Sequence, residues 1–579
     1  MGVFVASLDW PVYLILTPGL GALLVVLVGW LSRSLRNWLV VLTLLANLWL
    51  ALRLRTPAAP AGMSLTTVEA SGRQLTFTLH GDALGGLLLV LLAAGALLVA
   101  FAAAELAAWP SSLGGAVAFL LAVAAANGAF LAGDLLTFYG FAELSSVFLF
   151  LLLLAEPDTA AQRAGFKLFA AVAMAGFALL LAILLLLAKR AVLDLSALQS
   201  LAGLGVVAQV TLVAVAARAG FAPLHSWLTG ALHSASWPAA GLIGVLAAPI
   251  GCYLLLRLAA PPAAAGLPLQ SVLLVLGIAT VLVAGYAVLQ QHDLRQAIAT
   301  LVVAQGGFFA LALAAGGALG KEAALAQLAY TVLFVPLPFI ALGSLPGSGD
   351  GAEGLRSAVA RRPLAGLALA VALLSAAGLP PFYGFFARTY VLQALLSAGS
   401  AGHLLGAFAL LLSSGALLAA MAKLVGLLFA GEGGADRQRW WQGRRTAAVP
   451  VAVAAIVTLA FAAAPLTLHR WLLGPASTVA LRLPEGAAPA GVTLGTALAG
   501  TLLIVALVCG GWTFLTAGRR SPLPAAKTMS DIRLRPVVAD IAYLAKAGYF
   551  DPYNLAVVVT GVGRAVAIAL GRVLDRLAI

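Results

Sequence analysis

Charge is what this sequence has least of. Only 9% of its 579 residues are Asp, Glu, Lys or Arg, while 63% are hydrophobic; an average soluble domain carries about 25% charge. Thirty-three basic and 20 acidic residues cannot cover a chain of this size in water, so a soluble globular enzyme is excluded and lipid is the expected solvent. Cysteine is nearly absent too. Cys252 and Cys509 both sit in apolar runs and form no CxxC pair, which gives no basis for a cluster, a zinc site or a disulfide framework in this chain. No GxxxxGK[ST], and no GxGxxG in a strand-to-helix setting, points to a nucleotide.

What is present is long unbroken apolar runs, such as Leu87 to Ala104 and Phe148 to Ala155. They predict an all-α polytopic membrane protein, because a barrel would show weak alternation instead. Hydropathy between breaks predicts spans near 12–31, 37–53, 84–104, 112–132, 134–154, 164–188, 205–222, 238–258, 269–289, 295–317, 322–344, 363–397, 403–430, 447–465 and 491–516, about 15 transmembrane helices. Between the second and third, Ser64 to Leu79 alternates on either side of Ser71-Gly72 and predicts a short exposed hairpin.

The net charge of +13 does not indicate nucleic acid, since the basic residues stand singly in short loops and at the C-terminal end. Loops after odd-numbered spans carry Arg33, Arg36, Arg356, Arg361, Arg362, Arg437, Arg439, Arg444 and Arg445. By the positive-inside rule the N-terminus is expected outside and the C-terminus in the cytoplasm, with the protein in the cytoplasmic membrane. The first basic residue, Arg33, follows the first apolar segment, so no charged n-region precedes it and the first helix is expected to be retained. Residues 518–579 differ in composition. Arg564 and Arg572 are eight apart, about two turns, which predicts an amphipathic helix on the membrane surface or against a neighbouring subunit; a frayed tail is the alternative.

Charged residues inside spans are costly and so become candidates for function. They are Glu143, Lys167, Arg218, Arg388 and Lys423. Lys423 is close enough to a span end to snorkel, and Lys167 is ambiguous in the same way. Two spans are also broken by proline. Arg218 precedes Pro223, which is followed by His225 and His233, whereas Pro380-Pro381 precede Arg388. Broken helices at matching places, with the charge on opposite sides of the break, suggest inverted repeats lining a hydrated path at mid-membrane; two ordinary kinks are the bland alternative. A buried carboxylate such as Glu143 stays ionised while a guanidinium lies within about 4–6 Å and takes a proton when it leaves. Glu143 and Arg218 therefore form a candidate proton-binding pair.

Four segments, Gly133-Asp134 through Glu143, Ala222-Pro223-Leu224-His225-Ser226-Trp227-Leu228, Gln290 to Arg295, and Gly378-Leu379-Pro380-Pro381 through Phe386, resemble the antiporter-like subunits of respiratory complex I, of energy-converting membrane hydrogenases and of multisubunit cation/proton antiporters. The resemblance covers about residues 80–430. It implies a 14-helix core with two inverted five-helix repeats, each with one broken helix, plus a C-terminal amphipathic helix. The implied division is N-terminal helices with the hairpin over 1–110, a first repeat over 111–260, a second over 261–430, C-terminal helices over 431–517 and a tail over 518–579 that docks on a neighbour. It also implies a proton (or other ion) path through Glu143, Lys167, Arg218, His225, His233 and Arg388. The partners would be other membrane subunits and a soluble redox arm, NADH/quinone or hydrogenase type, which would hold the iron–sulfur or other redox centres; this chain holds no catalytic centre.

The chain departs from that pattern where the family has relay residues. The eighth-helix histidine or lysine positions read Gly244 and Pro249, the eleventh-helix lysine position reads Val335, and a nearby histidine position reads Thr331. Arg218 and Arg388 stand where relay lysines are usual, and arginine does not give up its proton. Three readings are therefore carried forward: a proton-translocating subunit with a thinned relay, a proton-silent scaffold, and the membrane component of an inorganic-carbon, anion or cation–proton transporter whose paired arginines bind a carboxylate-like substrate.

Overall fold

The computed structural model describes residues 10–54, 61–70, 73–106, 112–188, 193–195, 206–259, 269–291, 293–345, 352–429 and 497–508, with isolated positions 452, 456, 458 and 473. The amphipathic helix expected within 518–579 lies outside the described residues, as does most of the span expected at 447–465.

Apolar sequence makes helices here because in lipid every backbone amide must bond within its own segment. In chain order they are α1 (Trp10–Val28), α2 (Arg33–Leu54), α3 (Ala83–Glu105), α4 (Leu113–Leu131), α5 (Leu135–Leu154), α6 (Thr159–Ala188), α7 (Val206–Arg218), α8 (Ser226–Ser234), α9 (Trp237–Ala259), α10 (Leu269–Gln290), α11 (Leu294–Ala315), α12 (Gly317–Phe334), α13 (Pro336–Gly343), α14 (Ala352–Arg361), α15 (Pro363–Ala377), α16 (Tyr383–Ala398) and α17 (Ala401–Phe429). A further apolar helix covers Ala497–Val508. Eleven helical stretches among the described residues are long and apolar enough to cross a membrane. The chain is thus a polytopic helical membrane protein.

Burial sorts these helices into an inner stack and an outer ring. The apolar windows of α9 and of α12–α13 are wholly buried, whereas that of α1 is 33% buried. Leu20, Leu23, Leu24 and Leu27 of α1 point outward, as lipid-facing positions do.

Four expectations need correction. Helix α6 begins at Thr159, five residues before the expected 164, because the Asp158 carboxylate accepts from the Ala160 amide at 2.9 Å and starts the helix early. The span expected at 322–344 is present as one span, Gly317–Gly343, but it starts earlier and its helix is interrupted at Val335, where Pro336 and Pro338 follow; proline cannot donate to the preceding turn. The span expected at 205–222 stops at Arg218, and the short α8 follows the break. Helix α14 lies at 115° to α15 instead of being a plain loop.

The hairpin forms as expected, but longer. β1 (Ala61–Ala70) pairs antiparallel with β2 (Arg73–Gly81), with a register shift between Ser64 and Thr66. Its base is docked. Asp134, the N-cap of α5, accepts from the Thr78 amide (2.7 Å), the Thr78 hydroxyl (2.9 Å), the Thr137 amide (2.7 Å) and the Thr137 hydroxyl (2.6 Å). Beside it, Arg257 at the end of α9 makes a two-pronged pair with Asp82, the N-cap of α3, with one contact at 2.6 Å. Burial alone would raise the Asp82 carboxyl, but Arg257 and the Gly85 amide hold it below its usual range.

Contacts between loops agree with alternate crossing. The hairpin, the Asp82–Arg257 pair and the ends of α4 and α9 share one side. The α5–α6, α8–α9 and α10–α11 connections share the other, where Ser236 bonds Glu156 and Arg295 reaches Ala235. Replacing Asp134 by Ala leaves three donors without their acceptor, the Thr78 amide keeping Thr137 Oγ1 at 3.2 Å, and is expected to cost about 3 kcal/mol; thermal denaturation in detergent should show a lowered midpoint, and an unchanged one would refute the anchoring role.

Candidate functional site

Arg218 is the last residue of α7, at the point where the helix gives way to Ala219-Gly220-Phe221, and Gly220 has φ +71°. Only glycine takes that backbone without strain, and it turns the chain away from the helix axis. The arginine is 4% exposed. Its guanidinium donates to Glu143 Oε1 at 2.8 Å, to the Ala142 carbonyl and to Ser146 Oγ at 2.9 Å, all on α5. One cation thus clamps the middle of α5 through a carboxylate, a carbonyl and a hydroxyl.

Glu143 is less buried than its partner, with a side chain 22% exposed against 5% for Arg218. On its other side stands Gly176 of α6. A Cβ built at Gly176 would lie 2.5 Å from Glu143 Oε1 and 2.6 Å from Cδ, so the absence of a side chain there is what lets α6 close over the carboxylate.

The second break is built from the opposite direction. Helix α15 ends at Gly378, which has φ +84° as a left-handed C-cap. Arg388, five residues into α16 and 1% exposed, folds back so that its guanidinium donates to the Ala376 and Ala377 carbonyls and lies 4.5 Å above the Phe308 ring. Its charge is met by a helix C-terminus and an aromatic face. No described carboxylate lies within ion-pair distance of it. Both breaks carry a cis peptide, Ala222–Pro223 and Pro380–Pro381.

The other residues singled out in the sequence fall at two levels. His225 precedes α8, and Lys167 lies within reach of that short helix: its Cδ is 4.0 Å from where a Gly230 Cβ would stand. With α6 starting at Thr159, Lys167 sits eight residues inside its helix, deeper than the sequence placed it. His233 is at the far end of α8, where its buried Nδ1 lies 3.2 Å from Asp293 Oδ2 although the side chain as a whole is 40% exposed.

Between the two breaks, two contacts among the inner helices are apolar or neutral. A Cβ at Gly244 would come within 2.7 Å of Val335 Cγ1, so the two positions interlock. Nearby, Gln327 Nε2 donates to Gln305 Oε1 at 2.9 Å, and Gln305 Nε2 donates to the Ala376 carbonyl at 3.3 Å, beside Arg388. Both glutamines are fully buried. A small cavity lined by Ala219, Pro249, Gln305 and Thr331 lies between this pair and the first break. The sequence reading missed Gln305, Gln327 and the buried Glu322. The signal was available: each is a polar residue in an otherwise apolar span. Among the described residues no group of three His, Cys, Asp or Glu is placed to hold a metal.

Residues 132–415 match the transmembrane region described as NADH:quinone oxidoreductase/Mrp antiporter. The chain is 34% identical over 214 residues to NADH-quinone oxidoreductase subunit N of Salinispora tropica, covering 34% of this chain and 41% of that protein. It is 30% identical over 315 residues to formate hydrogenlyase subunit 3 of Escherichia coli, covering 50% of each. The alignments therefore span about half the length of these curated relatives or less. Among solved structures, a chain of the archaeal membrane-bound sulfane sulfur reductase superposes with TM-score 0.72 at 19% identity, covering 81% of this chain and 97% of that one, which shows a shared fold. Residues 132–415, which hold both broken helices and both buried arginines, thus match the NADH:quinone oxidoreductase/Mrp antiporter transmembrane family.

Proposed function

We propose that this chain is an ion-translocating membrane subunit, with H+ as the ion, of a larger complex I-like or membrane-hydrogenase-like assembly. The observation that carries the reading is the Glu143–Arg218 pair, 2.8 Å apart at a helix break in the membrane. Arg218 keeps its proton, so it works as a charge and Glu143 as the proton carrier. With Arg218 in place the carboxylate stays ionised. When the break reshapes and the guanidinium withdraws, Glu143 takes up a proton, and the returning charge expels it. Lys167 and His225 serve the same path on one side. On this reading the redox centres and the driving chemistry belong to partner subunits with a soluble arm, and the side carrying Glu156 and Asp293 faces the cytoplasm.

The Gly244–Val335 contact and the Gln305–Gln327 bridge favour a restricted form of this function. A carboxamide does not titrate at physiological pH, and an interlocked apolar pair leaves no room for a water chain. The line from Glu143 to Arg388 is therefore interrupted between the breaks, and Arg388 acts as a fixed charge holding the second. The carrier reading has less support, because the NH1 and NH2 of both arginines already serve protein acceptors.

In the reconstituted complex, Glu143→Gln is expected to abolish ion-coupled activity while the complex still assembles; full pumping would overturn the proposal. Arg218→Lys retains the charge and adds a titratable group, so activity is expected to persist, whereas a dead lysine variant would show that the three-bond guanidinium clamp is required. Gly176→Ala is expected to push the Glu143 carboxylate off its partner and to cost about 1–3 kcal/mol through overpacking. Wild-type thermal stability and transport in that variant would contradict the close approach.

A further inference from the structure

A second carboxyl, outside the spans, is built into the same half of the protein. Glu156 lies in the turn between α5 and α6 yet is only 6% exposed. Its Oε1 accepts from Ser236 Oγ, at the start of α9, and its carbonyl accepts from Gln162 Nε2 at 2.8 Å. The groups around it come from every packed element. Asp158 stands in the same turn, Ser236 leads into α9, and Arg295 of α11 adds a positive charge. The neighbouring end of α8 is tied down by His233 against Asp293 and by Arg295 Nη1 reaching the Ala235 carbonyl at 3.5 Å.

This cluster marks one end of a line whose other end is already described. Helix α8 runs from His225 to the Ala235-Ser236 turn, and α6 from the Glu156 turn to Lys167; nine and eight residues correspond to about 12–14 Å. Glu156 and Ser236 therefore stand at the membrane surface, Lys167 and His225 stand one α8 length deeper, and the Glu143–Arg218 pair lies at mid-membrane. A carboxyl this buried and held by the hydroxyl and the backbone amide of Ser236 is not a solvated loop residue. Burial raises its proton affinity above that of an ordinary glutamate, opposed by the Ser236 hydrogen bond and by Arg295 and assisted by Asp158.

We infer that Glu156, held by Ser236 beside Asp158 and Arg295, is the surface proton port of the first broken helix. The Glu156 carboxylate takes a proton from water on its own side of the membrane and becomes the neutral acid. It then releases that proton inward, through water, towards the His225 and Lys167 level and so to Glu143, returning to the carboxylate. The inference rests on the proposed proton-translocating function and adds the residue through which the path meets the aqueous phase.

The test uses the full complex in proteoliposomes, with proton uptake followed against pH. Glu156→Gln is close in shape and still accepts the Ser236 hydrogen bond, but carries no proton; uptake is expected to fall about tenfold or more. Glu156→Asp is expected to restore a substantial part. Ser236→Ala removes a hydrogen bond that favours the ionised carboxyl, so it raises the proton affinity of Glu156 and is expected to move the alkaline limb of the pH profile upward. A residue that only packed the turn would not move that limb. Should Glu156→Gln fail to assemble, Ser236→Ala decides alone, and an unshifted profile overturns the proposal. Glu143→Gln is measured beside them: if it is dead while Glu156→Gln and Ser236→Ala behave as wild type, the port is refuted and the translocating function stands. If Glu143→Gln is also active, the function itself is refuted.

Discussion

A guanidinium in a membrane needs countercharge or dense hydrogen bonding, and because it cannot shed its proton, the fold must supply one or the other. Two arginines impose this demand at the two breaks, and the protein answers it differently each time. Arg218 takes a carboxylate, a carbonyl and a hydroxyl from α5. Arg388 takes the terminal carbonyls of its own broken span and the face of Phe308. Much of the local architecture follows. The left-handed glycines Gly220 and Gly378 let each helix end beside its arginine, and Gly176 lets α6 close on Glu143.

The two solutions have different chemical content. A carboxylate facing a permanent cation can exchange a proton whenever their separation changes; a guanidinium capping a helix C-terminus can only hold or release that helix. The residues between them are matched to this division. Gly244 and Val335 interlock, and Gln305 and Gln327 join the inner helices by a neutral bridge ending at Ala376, next to Arg388. On the proposed function, the second half therefore transmits force or field to the first without handling protons itself.

Much of this was legible in the sequence. Runs such as Leu87 to Ala104 predict their own helices because lipid admits few other structures, and Pro223 and Pro380 mark both breaks. Local chemistry also predicts the hairpin about Ser71-Gly72. What was hidden needed a partner brought from far along the chain. Nothing near Gly176 indicates that Glu143 fills the space above it, and Glu156 reads as a loop glutamate until Ser236, 80 residues on, covers it. The early start of α6 at Thr159 rested on one cap by Asp158, and the division at Val335 on Pro336. Both are short-range signals that a long apolar run conceals.

The account turns on Glu143 changing its protonation as Arg218 changes its distance. Infrared difference spectroscopy of the reconstituted complex during turnover, assigned with isotope-labelled glutamate and arginine, reads both at once. A transient protonated-carboxyl signal from Glu143 is expected to rise and decay together with a shift in the guanidinium modes. A Glu143 carboxylate that remains ionised throughout turnover would contradict it.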